Sequence, residues 1–219
     1  MNERELEARV KALEEKLDSL QDVEEIKKLQ RAYGFYLDNR LWDEVVALFS
    51  DQTESLEISD SGVYLGKGGV ERFFKEVLGR GGLPAMPGAL GIHMQLQGIV
   101  NVGLEKHKAK GRWQCVMLIA TSVEGQLRAL LGHGVYEVEY VKEEGIWRFM
   151  KLHFFLTFRT PLDEGWVKTP VVISMARQKY DLPTTVYKPY PAKYVVPFHY
   201  GHPVMGKPVG DTSENEKEN

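Results

Sequence analysis

The sequence contains little cysteine and no long apolar segment. Its single cysteine, Cys115, excludes an intramolecular disulfide framework and is compatible with a reducing compartment. No apolar run approaches the ~20 residues that a helix needs to cross a bilayer. The first residues, MNERELEARVK, lack the apolar core of a secretory signal. These absences predict a cytoplasmic protein without a membrane partner.

The chain also lacks a strong charge imbalance and the common catalytic motifs. A net charge of −3 and a pI of about 6.1 give no indication of a nucleic-acid partner. There is no G-x-S-x-G, no dinucleotide fingerprint and no zinc signature, and residues 66–69 (GKGG) lack the spacing of a phosphate-binding loop. His199 and His202 lie in a proline-rich segment without a carboxylate near them in sequence, which does not predict a metal site. We therefore expect no metal and no cofactor, and any chemistry would be proton transfer by His, Asp and Tyr side chains.

The central helical pattern covers residues 22–49. Its apolar stripe recurs at three- and four-residue steps, at Val23, Ile26, Leu29, Tyr33 and Leu37. Tyr33 brings a hydroxyl into this stripe, and the ionisable Asp38 follows five residues later. Polar groups beside an apolar face indicate a pocket under the helix. The alternative is that Asp38 only caps a second short helix at residues 41–49.

The first 21 residues are highly charged but carry a regular apolar seam. Alternating four- and three-residue steps connect its members, Leu6, Val10, Leu13, Leu17 and Leu20. The seam is shorter than three heptads, too short for a stable isolated helix. It either extends the long helix and pairs with a neighbouring subunit or forms a frayed arm. We expect an oligomer contact, in a homo-oligomer that is a dimer or a trimer.

The rest of the first 160 residues predicts helices followed by a sheet. A hairpin at residues 54–64 and a third helix at 66–78 precede a Gly/Pro loop. Four strand-like stretches then follow one another, at residues 91–102, 108–122, 126–141 and 145–159. Strands joined by short turns form an antiparallel, curved sheet, with the helices on one of its faces. The predicted fold class is therefore α+β.

The character of the chain changes after residue 160. Eight of the ten prolines lie from Thr160 onward, together with many aromatic residues. Proline blocks regular structure, yet this segment is too aromatic to be disordered. We divide the chain into an N-terminal extension at residues 1–21, a domain at 22–160 and an ordered arm at 161–219. The arm is expected to contain a short helix near residues 172–179 and to end loosely after residue 210.

Alternation along the first long strand places His93, Gln95 and Gln97 on one face and the apolar residues between them on the other. The same reasoning puts Trp113 and Met117 on one face of the next strand. If His93 faces the helical side of the sheet, its imidazole can meet Asp38.

Several motifs occur together in an order that resembles one known family. They are Tyr33, Tyr36 and Asp38; Trp42 and Asp43; Leu48 and Phe49; Gly66, Lys67 and Gly68; the HMQLQ strand from His93; GRW from Gly111; and the closing pattern from Tyr136 to Trp147 with Leu152 and His153. Over residues 20–160 the chain resembles the SnoaL-like branch of the nuclear transport factor 2-like superfamily. The resemblance implies a curved sheet wrapped around helices as an open cone, with a small-molecule pocket inside.

At the pocket, the chain is most similar to the scytalone dehydratases and the bile acid 7α-dehydratases. Their Asp near the end of the first helix and His on the first long strand match Asp38 and His93. The Tyr five residues before the Asp in the bile acid enzymes matches Tyr33. A further acidic residue of those enzymes has no counterpart, because residues 112–120 contain no carboxylate. The arm resembles that of the diarylpropane lyases, which release formaldehyde without a cofactor.

These resemblances imply a cofactor-independent lyase or dehydratase that performs an acid–base elimination on a small aromatic or polycyclic hydroxylated substrate. His93 would move the proton, Asp38 would orient it, and Tyr33 would hydrogen-bond the substrate oxygen. The expected substrate-binding residues are Gln95, Trp113, Met117, Tyr136 and Phe154. The arm would close the open end of the cone or cross onto a neighbouring subunit. The alternatives are an isomerase or cyclase that uses the same pocket, and a non-catalytic binding or assembly module.

Overall fold

The computed structural model describes residues 2–79, 87–123, 126–170 and 179–210. Nearly all of the predicted helix near residues 172–179, and the predicted loose end after residue 210, lie outside these residues. The helices are α1 Glu3–Asp38, α2 Trp42–Ala47 and α3 Gly66–Glu71, the last of which continues as the π-helical segment Arg72–Leu78. The strands are β1 Ser55–Ile58, β2 Val63–Leu65, β3 Leu90–Val102, β4 Lys108–Val123, β5 Gln126–Glu143 and β6 Ile146–Pro161.

Helix α1 is continuous from the N-terminal segment into the domain. Asn2 and Glu5 form a reciprocal capping box, in which each side chain accepts a hydrogen bond from the other residue's backbone N–H. The turns before Asp22 are exposed, whereas the later turns bury one face against the sheet. The N-terminal segment is therefore helical rather than frayed. Among the described residues, no helix combines the length and apolar character that a bilayer crossing requires.

The sheet has the strand order β2-β1-β6-β5-β4-β3 and remains open at both edges. The meander β3–β6 is antiparallel, and the predicted α+β class with helices on one face is confirmed. One pair differs from the expectation, since β1 lies parallel to β6. That pair joins residues almost a hundred positions apart, and local turn signals specify only neighbouring strands.

A β-bulge in β3 limits the predicted alternation. His93 and Gln95 are half-buried on the side of α1, as the alternation requires. Gln97, which was expected beside them, is instead exposed and takes a positive φ of 49°. The cause is the Trp113 ring, because a Cβ on Gly98 would lie 2.1 Å from one of its atoms. The extra residue of a bulge lets the strand pass this ring.

The core lies between the helices and the inner face of the sheet, the face that α1 covers. It is rich in fully buried aromatic rings, which are Tyr33, Tyr64, Tyr136, Tyr140, Phe49, Phe73, Phe74, Phe149 and Phe154. Each large apolar side chain stabilises the fold by roughly 1.5–3 kcal/mol when it leaves water. The core therefore fixes α1 firmly against the strands that carry the candidate site.

The C-terminal arm packs on the outer face of the sheet. Val196 forms a small buried cluster with Val135 and Phe155, whose side chains point away from α1. The Leu156 backbone N–H donates to the Tyr187 hydroxyl at 2.7 Å, so the arm also covers part of the β6 edge. No hydrogen bond or ring contact of the described arm residues reaches the inner face near α1. The expectation that the arm closes the open end of the cone receives no support from residues 179–210.

Candidate active site

The structure brings Asp38 and His93 into direct contact. Asp38 is the last residue of α1, and its Oδ1 accepts a hydrogen bond from the His93 backbone N–H at 2.9 Å. The same oxygen lies 2.8 Å from His93 Nδ1. The Asp38 side chain does not cap the second helix, whose N-cap is Leu41 without a side-chain hydrogen bond. The contact that the resemblance implies is therefore present.

This contact determines which tautomer the neutral imidazole of His93 adopts. A carboxylate only accepts hydrogen bonds, so the proton of the neutral ring is assigned to Nδ1 and the lone pair to Nε2. Nε2 has no hydrogen-bond partner among the described residues. The His93 and Asp38 side chains are only 17% and 20% exposed, and partial burial strengthens their interaction. An imidazole with a free Nε2 and a carboxylate behind Nδ1 can accept and return a proton.

A glycine in α1 allows the helix to approach β3 closely. A Cβ on Gly34 would lie 3.2 Å from the His93 carbonyl oxygen and 3.1 Å from Gln95 Cγ. Those distances are shorter than nearly all ordinary Cβ contacts. The absence of a side chain at this position lets Asp38, one turn later, reach the strand that carries His93.

A chain of buried hydrogen bonds continues from His93 into the core. Gln95 Nε2 donates weakly to the His93 carbonyl at 3.4 Å, and Gln95 Oε1 accepts from Gln30 Nε2 at 2.9 Å. Gln30 Oε1 in turn accepts from the Tyr140 hydroxyl at 2.8 Å, which accepts from Trp113 Nε1 at 3.0 Å. Satisfied networks of this kind fix the rotamers of their members. The predicted substrate-binding residue Gln95 is thus held in place by partners within the protein.

Sequence reasoning missed Gln30 and Tyr140 as parts of this network. A signal for Gln30 was present, because it lies four residues after Ile26 and three before Tyr33, on the buried stripe of α1. An uncharged polar residue at such a position needs a buried partner. The partner itself depends on the strand register, which the local pattern does not specify.

Tyr33 lies beneath the contact between Asp38 and His93 rather than beside it. Its ring packs edge-on against Phe149 and Tyr136 in the core, and burial raises the pKa of its hydroxyl. Burial likewise raises the pKa of Tyr136, whose hydroxyl lies close to that of Tyr33. Among the described residues, no hydrogen bond joins Tyr33 to Asp38 or His93. The catalytic role of Tyr33 stays a prediction that these contacts do not support.

Four of the predicted substrate-binding residues are core residues in this structure. Trp113, Met117, Tyr136 and Phe154 are each at most 3% exposed. The Tyr136 and Phe154 rings contact each other with centroids 4.5 Å apart. Three depressions whose walls consist of described residues include neither Asp38 nor His93. The four residues support the site from below, and their contact with a substrate stays a prediction.

Cys115 belongs to the same buried layer. It is fully enclosed, and burial raises the pKa of its thiol to about 12. A neutral thiol is a poor nucleophile. Within the described parts of the chain, no group of three His, Cys, Asp or Glu side chains is placed to hold a metal ion.

Comparison with known proteins gives one matching family model and many similar folds. The model of the SnoaL-like domain matches residues 18–153. The structure of a hexachlorocyclohexane dehydrochlorinase, LinA type 2, is similar with a TM-score of 0.57 and 25% identity, over 67% of this chain and 93% of that one. A candidate scytalone dehydratase from Novosphingobium aromaticivorans has a TM-score of 0.57 and 15% identity, over 75% and 98% of the two chains. A candidate aromatic ring hydroxylase from the same organism has a TM-score of 0.53 and 20% identity, over 65% and 94%.

Proposed function

Because this chain belongs to the SnoaL-like domain family, we propose that it is a cofactor-independent lyase that acts by acid–base elimination on a small hydroxylated substrate. The observation that carries the proposal is the 2.8 Å contact between Asp38 and His93 Nδ1, which leaves Nε2 without a hydrogen-bond partner among the residues that the structure describes. Support also comes from the similar structures, which include a dehydrochlorinase at 25% identity. Dehydrochlorination and dehydration are both β-eliminations, so they require the same base.

In the proposed reaction, His93 Nε2 removes a proton from a carbon of the substrate. The electrons of the broken C–H bond form the new C=C bond, and the C–O bond to the departing hydroxyl breaks. As the C–O bond breaks, the imidazolium gives its proton to the departing oxygen, which leaves as water. Asp38 orients the ring and stabilises its charge, and positioned acid–base groups typically accelerate such steps by about 10²–10⁴-fold.

Dehydration and dehydrochlorination differ in the leaving group and therefore in the need for an acid. Chloride departs without a proton, whereas a hydroxyl needs an acid at the moment of cleavage. A histidine that has just accepted a proton supplies that acid, and no second carboxylate is required. The use of one histidine as both base and acid is consistent with the absence of Asp and Glu from residues 112–120 of β4. We therefore favour a hydroxylated substrate, with an aromatic or polycyclic ring system as the family resemblance implies.

A specific observation favours a second candidate function, a non-catalytic binding or assembly module. Trp113, Tyr136 and Phe154, which were expected to contact a substrate, are buried in the core. The fold also occurs in proteins that are not enzymes. An isomerase or cyclase would use the same Asp38 and His93 and return the proton to carbon.

Product analysis distinguishes these candidates. The protein would be incubated without added metal or cofactor with a panel of phenolic β-hydroxy ketones and 1,2-diaryl-1,3-propanediols, and products would be identified by mass spectrometry. We expect a product that has lost one water molecule. A product of unchanged mass would indicate an isomerase or cyclase, and binding without turnover would indicate the binding module.

Two variants connect the result to the site. His93→Ala should abolish turnover while circular dichroism and the melting temperature stay near wild type. His107→Ala is the matched control, because this histidine is half exposed and contacts only Glu105 in its own turn. If His93→Ala retained near wild-type activity, His93 would have no part in the mechanism.

A further inference from the structure

Strand register places His93 in a row of four laterally adjacent residues. His93 on β3 pairs with Met117 on β4, Met117 with Gly132 on β5, and Gly132 with Arg159 on β6. Residues opposite each other in antiparallel strands point to the same face. A Cβ on Gly132 would meet the Met117 side chain at 2.5 Å, so the shared face is the inner one. Arg159 and His93 thus flank one stretch of the inner face.

The Arg159 side chain is buried, and its guanidinium has no hydrogen-bond or ion-pair partner among the described residues. Arg159 is only 6% exposed, and its Nε is completely inaccessible and makes no hydrogen bond. Its guanidinium takes part in no hydrogen bond or ion pair with any described residue. Burial lowers the pKa of the guanidinium and nearby Asp60 raises it, yet a guanidinium remains charged at neutral pH. Within the described parts of the chain, this cation lacks a hydrogen-bonded partner, and it lies on the face that carries the candidate base.

An unpaired buried charge is costly for a folded protein. Isolated charges lose several kcal/mol of hydration on burial, and proteins normally pair them. A group that is retained at such a cost is a candidate for a function, because a ligand can supply the missing partner. A carboxylate or other oxyanion fits best, since guanidinium donors match its two oxygens.

We propose that Arg159 binds an anionic group of the substrate, a carboxylate or another oxyanion, while His93 acts at a carbon further along the same molecule. The inference rests on the proposed function for the site, and it adds the charge of the substrate. Strands about 4.8 Å apart separate the ends of the row by roughly 14 Å of backbone. Gly132 contributes no side chain of its own between them, and the flexible Met117 side chain lies over it. The substrate is therefore an elongated molecule with its anion remote from the scissile bond.

Binding of a matched pair of probes tests the proposal without turnover. The probes are 4-hydroxybenzoate, which is an anion at pH 7, and 4-hydroxybenzamide, its neutral counterpart, and calorimetry would give both affinities. We expect wild-type protein to bind the anion at least about tenfold more tightly, because one charge-assisted hydrogen bond corresponds to about 10–100-fold. Arg159→Gln should abolish this preference, and Arg159→Lys should retain part of it.

Arg148→Gln is the matched control, since Arg148 also lies on β6 but pairs with Glu143 near the other end. This variant should keep the preference for the anion. Equal binding of the two probes by wild-type protein, no binding of either, or an undiminished preference in Arg159→Gln would overturn the proposal. Anion preference without any elimination activity would instead refute only the proposed function.

Stability provides a second readout that a merely structural arginine would not give. Replacing an unpaired buried charge by an apolar side chain of similar volume is neutral or stabilising. Arg159→Met should therefore melt at the same temperature as wild type or higher, while it loses the anion preference. A clear decrease in the melting temperature of Arg159→Met would show that Arg159 stabilises the fold through a partner within the protein, which would contradict a role in ligand binding.

Discussion

Asp38 occupies an unfavourable position for a negative charge. The carboxyl end of a helix carries a partial negative charge, so a carboxylate there is destabilised unless cations or donors compensate it. Its compensation consists of the backbone N–H and Nδ1 of His93. The arrangement costs helix stability and orients the imidazole, and such local conflicts are typical of functional sites.

A buried histidine on the outer face predicts the pH dependence of stability. Burial lowers the pKa of His153 to about 4, against the opposing effect of the Glu57 carboxylate, whose oxygen is 3.5 Å away. An unfolded histidine titrates near 6.5. As the pH falls from about 6.5 to about 4, the unfolded chain takes up a proton that the folded chain does not. The free energy of unfolding should therefore decrease across this window and be insensitive to His153 above it.

Urea denaturation at pH 7, 6, 5 and 4 measures this effect. His153→Gln removes the titrating group and should flatten the decrease, whereas the exposed His107→Gln should leave it unchanged. The positive charge of Lys151 also lowers the pKa of His153, and this contribution is likewise absent from the His153 variant. The same slope in His153→Gln and wild type would contradict the assignment.

At the scale of elements, the close approach of α1 to β3 predicts that adding one methyl group at Gly34 lowers the activity. Gly34→Ala should favour the helix by up to about 1 kcal/mol through propensity. Its Cβ would nevertheless press on the His93 carbonyl oxygen, a backbone atom that cannot easily move. We expect a melting temperature near wild type but a loss of kcat/KM of about tenfold or more, because small misplacements of catalytic groups are expensive.

Gly68→Ala in α3 is the control for Gly34→Ala. A Cβ at this position meets no atom within 4 Å, so the variant gains the same helix propensity without a clash. It should match wild type in activity. Equal activities of the Gly34 and Gly68 variants would show that the spacing between α1 and β3 does not control the site.

Local patterns predicted most of the elements but not their long-range partners. The four long strands and the buried face of α3 follow from alternation and helical spacing, which each segment carries by itself. Alternation along β3 did not decide which face carries His93, and its contact with Asp38 was implied by the family resemblance. The bulge at Gln97, the parallel pairing of β1 and the hydrogen bond from Gln30 to Gln95 depend on contacts between distant segments. The position of Arg159 relative to His93 also depends on such contacts, because it follows from the register of the four strands β3–β6.

At the scale of the whole molecule, the N-terminal turns of α1 form an exposed surface along which no other described strand or helix packs. The apolar seam is 45–66% exposed, at Leu6, Val10, Leu13, Leu17 and Leu20. It ends where α1 begins to pack on its own sheet, beyond Asp22, which binds Lys142 and Trp147. In a parallel pair, Arg9 would face Glu14 of the second copy, whereas antiparallel pairing would place like charges together. We predict a parallel contact between copies of this chain.

Cysteine cross-linking tests this contact, because the native Cys115 is buried. Leu6→Cys and Leu20→Cys should each form a disulfide-linked dimer on oxidation, while the fully exposed Leu104→Cys should not. A link that appears only when the Leu6 and Leu20 variants are mixed would indicate antiparallel pairing. Light scattering that gives a 25.0 kDa monomer would reject self-association altogether.

The central claim is that Asp38 and His93 act as one unit in an elimination, and a double-mutant cycle tests it most directly. The measurement is kcat/KM for wild type, Asp38→Asn, His93→Gln and the double variant on the substrate that product analysis identifies. Each single change should lower kcat/KM by about 10²–10⁴-fold. Groups that act together lose their function together, so the double variant should be no worse than the more impaired single variant. Multiplicative losses, or near wild-type activity of His93→Gln, would contradict the account.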